Sequence, residues 1–81
     1  MKHYVVLLDW AQDDEQDTLV IGVAHSFEDA SKIFKNQRIH EQKLMTDKDW
    51  HVYKDDNWTF DAGEEGSWIE EHVKLWIQEV I

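Results

Sequence analysis

Apolar positions recur at helical spacing along one stretch of the chain, residues 26–45. Phe27, Ala30, Ile33, Phe34, Leu44 and Met45 make a stripe that weakens in its middle, at Gln37 and Glu41. Ser26 stands just before it, where a hydroxyl can accept from a free backbone N–H of the first turn. Asp29, three residues on, fits a loose capping box. Glu28 and Asp29 fall at the positive end of the helix dipole and Lys43 near the negative end, while Glu28 and Lys32 have i,i+4 spacing. No Gly or Pro follows Met45, so the helix is expected to stop near Thr46.

The remaining apolar residues follow strand patterns. Residues 4–8 are β-branched or aromatic enough for a strand and are apolar on both faces, with Tyr4, Val6, Leu8 and Trp10 on one side and Val5 and Leu7 on the other. Residues 11–17 read as an acidic surface loop. Residues 18–24 read as a second two-sided strand, antiparallel to the first, in which Gly22 marks a bulge or a close helix crossing. After the helix, residues 50–54 and 57–60 form a hairpin about Asp55 and Asp56. Residues 61–66 read as an acidic loop and residues 67–71 as one helical turn capped by Ser67. Residues 73–80 alternate cleanly as the last strand.

The order β-β-α-β-β-β predicts one α+β domain over residues 1–81, a mainly antiparallel sheet with one long helix on one face. The first strand is the candidate for the middle of the sheet. One helix covers one side, and strands apolar on both sides imply cover on the other. Residues 63–71, carrying Trp68 and Ile69, are one candidate. A second copy of the chain is the other, either on that face or edge to edge through the C-terminal strand, and a homodimer is the favoured expectation.

Charge narrows the partners. Eighteen acidic residues against eight basic ones leave −10, concentrated outside the helix, where four basic side chains meet three acidic ones. Such a surface repels nucleic acid and anionic membrane and attracts a basic partner. The absence of Cys excludes disulfides and thiolate chemistry. No apolar run approaches the roughly 20 residues of a membrane span. The first residues lack a signal peptide's apolar run, so a cytoplasmic location is expected.

Candidate chemistry is sparse. Asp13, Asp14, Glu15 and Asp17 cluster without the spacing of a cation-binding loop. From Asp55 onward an EF-hand register puts Phe60 where Gly is needed and Gly66 where Glu is needed. The five His make no HExxH motif, no Gly-x-Ser-x-Gly elbow exists, and Ser26 and Ser67 have capping roles. No catalytic residue, cofactor or metal ligand is therefore expected. Gly63 and Gly66 bracket Glu64 and Glu65 in a loop suited to meeting a partner's Arg or Lys. Trp is a frequent interface anchor, so Asp61, Glu64, Glu65, Trp68 and Trp76 are the candidate partner-binding residues.

Residues 58–66 (Trp-Thr-Phe-Asp-Ala-Gly-Glu-Glu-Gly) and 75–80 (Leu-Trp-Ile-Gln-Glu-Val), with residues 4–10 and 22–26, carry a resemblance. The chain resembles a group of short acidic proteins from low-GC Gram-positive bacteria and their mobile elements. That resemblance implies a cytosolic protein in a phage or mobile-element setting. It assigns no activity and transfers no functional residue. The functional expectation is a non-enzymatic protein–protein interaction module. The alternative is an acidic nucleic-acid mimic that blocks a DNA-binding enzyme, which needs carboxylates in rows on one face.

Overall fold

The computed structural model describes residues 2–12, 15–64 and 71–81. The elements are β1 (His3–Gln12), β2 (Glu15–Ala24), α1 (Phe27–Leu44), β3 (His51–Asp55), β4 (Thr59–Gly63) and β5 (His72–Val80). Every paired neighbour is antiparallel, in the spatial order β2-β1-β5-β4-β3. The predicted class and element order hold, and the residues assigned to the turn at 67–71 lie outside the described ones apart from Glu71.

The topology is two hairpins zipped together by the last strand. β1–β2 and β3–β4 each pair locally, and α1 carries the chain over one face from the first hairpin to the second. β5 then enters between β1 and β4, with registers such as Leu8↔Leu75 and Phe60↔Leu75. The central strand is thus β5, where β1 had been expected. Its clean alternation suits that place: Val73, Leu75 and Ile77 are buried, while Lys74 and Gln78 are exposed. A strand with neighbours on both sides has no free edge, so edge pairing of two copies through the C-terminal strand is ruled out. Among the described residues the edge strands are β2 and β3. β2, read as a strand apolar on both faces, lies at one edge. Antiparallel sheets tolerate a solvated face, and among the described residues no helix or strand covers the second face here.

The helix boundaries follow their chemistry. Ser26 is the N-cap, and its Oγ accepts from the Asp29 N–H at 3.2 Å. Met45 is the C-cap, its N–H donating to the Glu41 carbonyl at 3.0 Å. Ala30 and Phe34 are fully buried, and Phe27, Ile33 and Met45 pack against the core at its margin. Leu44, expected on the stripe, is 58% exposed. At about 100° per residue Met45 returns to the azimuth of Phe34, while Leu44 lies roughly 80° away from it. The weak middle of the stripe is self-satisfied: the Gln37 amide donates to the Glu41 carboxylate at 2.9 Å. Ion pairs join Lys2 to Glu79, Arg38 to Asp55, Lys48 to Glu71 and Lys54 to Asp56, whereas Glu28 and Lys32 do not form one.

Gly22 serves both roles proposed for it. The β1–β2 register slips between Val6↔Gly22 and Leu7↔Val20, so Ile21 is an extra residue on β2. A Cβ at Gly22 would lie 3.0 Å from Ile33 Cδ1, so the Ile33 side chain of the helix packs onto the glycine more tightly than a side chain there would comfortably allow.

Two loops prove shorter than their polar composition suggests. Ala11, Gln12, Glu15, Gln16 and Asp17 all belong to paired strands. Asp61, Ala62 and Gly63, assigned to an acidic loop, form the end of β4, because Ala62 fills the core and Gly63 faces His72. A Cβ on Gly63 would come within 2.7 Å of both the Glu71 carbonyl and His72 Cβ. The β3–β4 turn is held by Asp56, whose Oδ1 accepts from the N–H groups of Trp58 and Thr59, each at 2.8 Å. These bonds stabilise the charged form and hold the Asp56 carboxyl below the usual range, with Lys54 adding in the same direction.

Candidate functional site

Strand alternation sorts the sheet into two unlike faces. Toward α1 point Val6 and Leu8 of β1, Val73, Leu75 and Ile77 of β5, and Phe60 and Ala62 of β4, all buried. The opposite face carries Val5 and Leu7 of β1, Val20 and Val23 of β2, and Trp76 of β5. Registers Val5↔Val23, Leu7↔Val20 and Leu7↔Trp76 make these five contiguous. Among the described residues no helix or strand packs on this face. Val20 is 63% and Val23 59% exposed, while Val5, Leu7 and Trp76 are half-buried.

Charged residues flank this apolar strip. Register places Asp9 opposite Lys74 and Lys74 opposite Asp61, so an acid–base–acid row crosses three strands beside Trp76. The Lys74 ammonium lies 5.3 Å from the Trp76 ring centroid, within cation–π range. Asp9 also accepts from the Thr18 hydroxyl. Of the predicted partner-binding residues, Asp61 and Trp76 therefore share the open face, as near neighbours on adjacent strands. Glu64 lies at the end of β4, with its N–H on the Glu71 carbonyl at 3.0 Å and its carbonyl taking the Tyr53 hydroxyl at 2.6 Å. Glu65 and Trp68 lie outside the described residues.

At the opposite end of the strip the molecule brings together His3 and His25, which sequence spacing had left apart. Tyr4↔Ala24 is the last register pair, and the two imidazoles meet one position beyond it. Their Nδ1 atoms are 3.1 Å apart and the rings stand edge to face at 5.0 Å. The bulge at Ile21 makes this pairing. Without the extra residue, the register set near the hairpin turn would place His3 against Ala24. Gly22 was the only hint available from the sequence.

On the helix side, a groove of about 200 Å³ lies beyond the C-terminal end of α1. Trp10, Leu44, Met45, Trp50 and Val73 give it apolar walls. Lys48 stands at its rim, 4.8 Å from the Trp50 ring centroid and 3.3 Å from the Glu71 carboxylate. Nothing in the sequence reading anticipated this groove, since its walls come from β1, α1, β5 and the segment before β3.

Among the described residues the acidic runs do not converge. Asp13 and Asp14 lie outside the described residues, and Asp17 binds the Thr18 N–H at 2.8 Å. Asp55 is paired with Arg38 at 3.1 Å. Among the described residues no three His, Asp or Glu side chains gather as metal ligands, and no helix is long and apolar enough to cross a membrane. Comparison with known protein families, with characterised proteins and with solved structures yielded no match.

Proposed function

We propose that this protein is a non-enzymatic interaction module that binds another protein through the open face of its sheet. One observation carries the reading: Val20 and Val23 are largely exposed beside Val5, Leu7 and Trp76, a contiguous apolar strip outside the core. Strips of this kind mark contact surfaces. Trp76 beneath Lys74 supplies a rigid anchor, and Asp9 and Asp61 supply polar partners at its margin. With −10 overall, a partner carrying basic groups around an apolar centre is favoured over a second copy. The nucleic-acid mimic receives less support. Asp55 and Glu64 stand at opposite ends of the β3–β4 hairpin, and Lys74 interrupts the carboxylates of the open face.

The test pairs affinity capture from native lysate with sedimentation velocity at micromolar protein, using the parent, Val20→Glu and Trp76→Ala. A specific partner should be retained by the parent and lost by both variants, with the free protein sedimenting as a monomer. Capture unchanged by both substitutions would remove the open face from consideration. A parent dimer abolished by Val20→Glu would make the partner a second copy.

A further inference from the structure

The His3–His25 pair belongs neither to the core nor to the apolar strip. We propose that it is a two-imidazole site for a borderline divalent cation, zinc by its ligand chemistry. Zinc binds imidazole nitrogen at about 2.0–2.1 Å, so two nitrogens at a tetrahedral angle stand roughly 3.3 Å apart. The two Nδ1 atoms are already at 3.1 Å. In the metal-free pair one nitrogen donates and the other accepts. For both Nδ1 atoms to bind one ion, the donating ring carries its proton on Nε2 instead, which leaves a lone pair on each Nδ1.

The pair is preorganised by backbone. His3 is the first residue of β1 and is held against Val80 of β5, and His25 follows the register pair Tyr4↔Ala24 directly. The neighbouring cation does not compete for the space: Lys2 is drawn to Glu79 at 3.2 Å. At −10 the molecule as a whole attracts a cation. Two protein ligands leave the other positions to water, so the site is open and its affinity modest. An ion there would tie the start of β1 to the residue just before the Ser26 cap, fastening the beginning of α1 to the sheet.

The experiment is thermal melting at neutral pH with zinc chloride, and separately magnesium chloride, on the parent and on His3→Gln, His25→Gln and His40→Gln. His40 is an exposed helix residue and serves as the control. Zinc at ten times its dissociation constant should raise the parent Tm by at least about 4 °C, since only the folded chain presents the pair. Magnesium should not. The rise should survive His40→Gln and vanish in each of the other two variants, whose Tm without zinc reports that they fold. Long-range proton–nitrogen NMR should show the Nδ1 signals of His3 and His25 moving together on zinc addition. A zinc response retained in either His3→Gln or His25→Gln would assign the ion to other ligands and overturn the proposal, as would no response at millimolar zinc.

Discussion

The two faces of β5 are built from alternating residues of one strand, yet they live in different solvents. Val73, Leu75 and Ile77 are sealed beneath α1, and Lys74, Trp76 and Gln78 look the other way. β1 shows the same division between Val6 and Leu8 on one side and Val5 and Leu7 on the other. In β1 the two sets are almost equally apolar. Hydrophobicity thus identifies the strand but not its covered side, which is decided by where the single helix comes to rest.

That contrast predicts unequal responses to truncation. Phe34→Ala should be the most damaging change, because Phe34 is fully buried at the centre of the helix contact. Phe→Ala in a core costs about 3–5 kcal/mol, most of the stability a domain of this size holds. Chemical denaturation decides it: a loss below about 1 kcal/mol would mean that the covered face is not the core. Val20→Thr, on the open face, should stay within about 0.5 kcal/mol of the parent by the same measurement. A loss comparable to that of Phe34→Ala would show that the open face is sealed in the isolated protein.

The smallest expected effect lies at the β3–β4 turn, remote from both faces. The folded-state value of Asp56 is lowered, so its charged form favours folding. Its contribution is present above the unfolded value of about 3.9 and is lost as pH falls through the folded value. The Asp56 carboxyl carbon should titrate by NMR with a midpoint below the ordinary aspartate value. A midpoint at or above that value would mean the Trp58 and Thr59 N–H bonds do not persist in solution.

Local chemistry was readable from the sequence wherever a residue acts on its own neighbours. Ser26 caps the helix, Gly22 marks both the bulge and the crossing, and β5 alternates as written. What escaped depends on partners far along the chain. The central position of β5 requires two hairpins to present complementary edges, and nothing within residues 72–80 encodes that. Polar composition concealed the pairing of Asp61 and Gly63, because one buried methyl at Ala62 outweighs its acidic surroundings. In the sequence only residue type marks Trp76 and Asp61, and their common face is a product of register. The His3–His25 contact needs the length of β2 counted with its extra residue, and the groove at Trp10 and Trp50 needs four segments assembled.

The bulge in β2 also bears on what the molecule avoids. Residues 18–23, Thr-Leu-Val-Ile-Gly-Val, are uncharged and strongly β-forming, and they lie on an edge strand with Val20 and Val23 exposed. Such a segment is a natural template for fibril growth, in which flat strands stack in register. The extra Ile21 kinks and twists the edge, so an incoming copy meets only a short run of evenly spaced donors and acceptors. Glu15 and Asp17 put negative charge beside that run, and every added copy would bring −10 with it. The irregularity beside Gly22 is thus also one that disfavours edge pairing with a further copy.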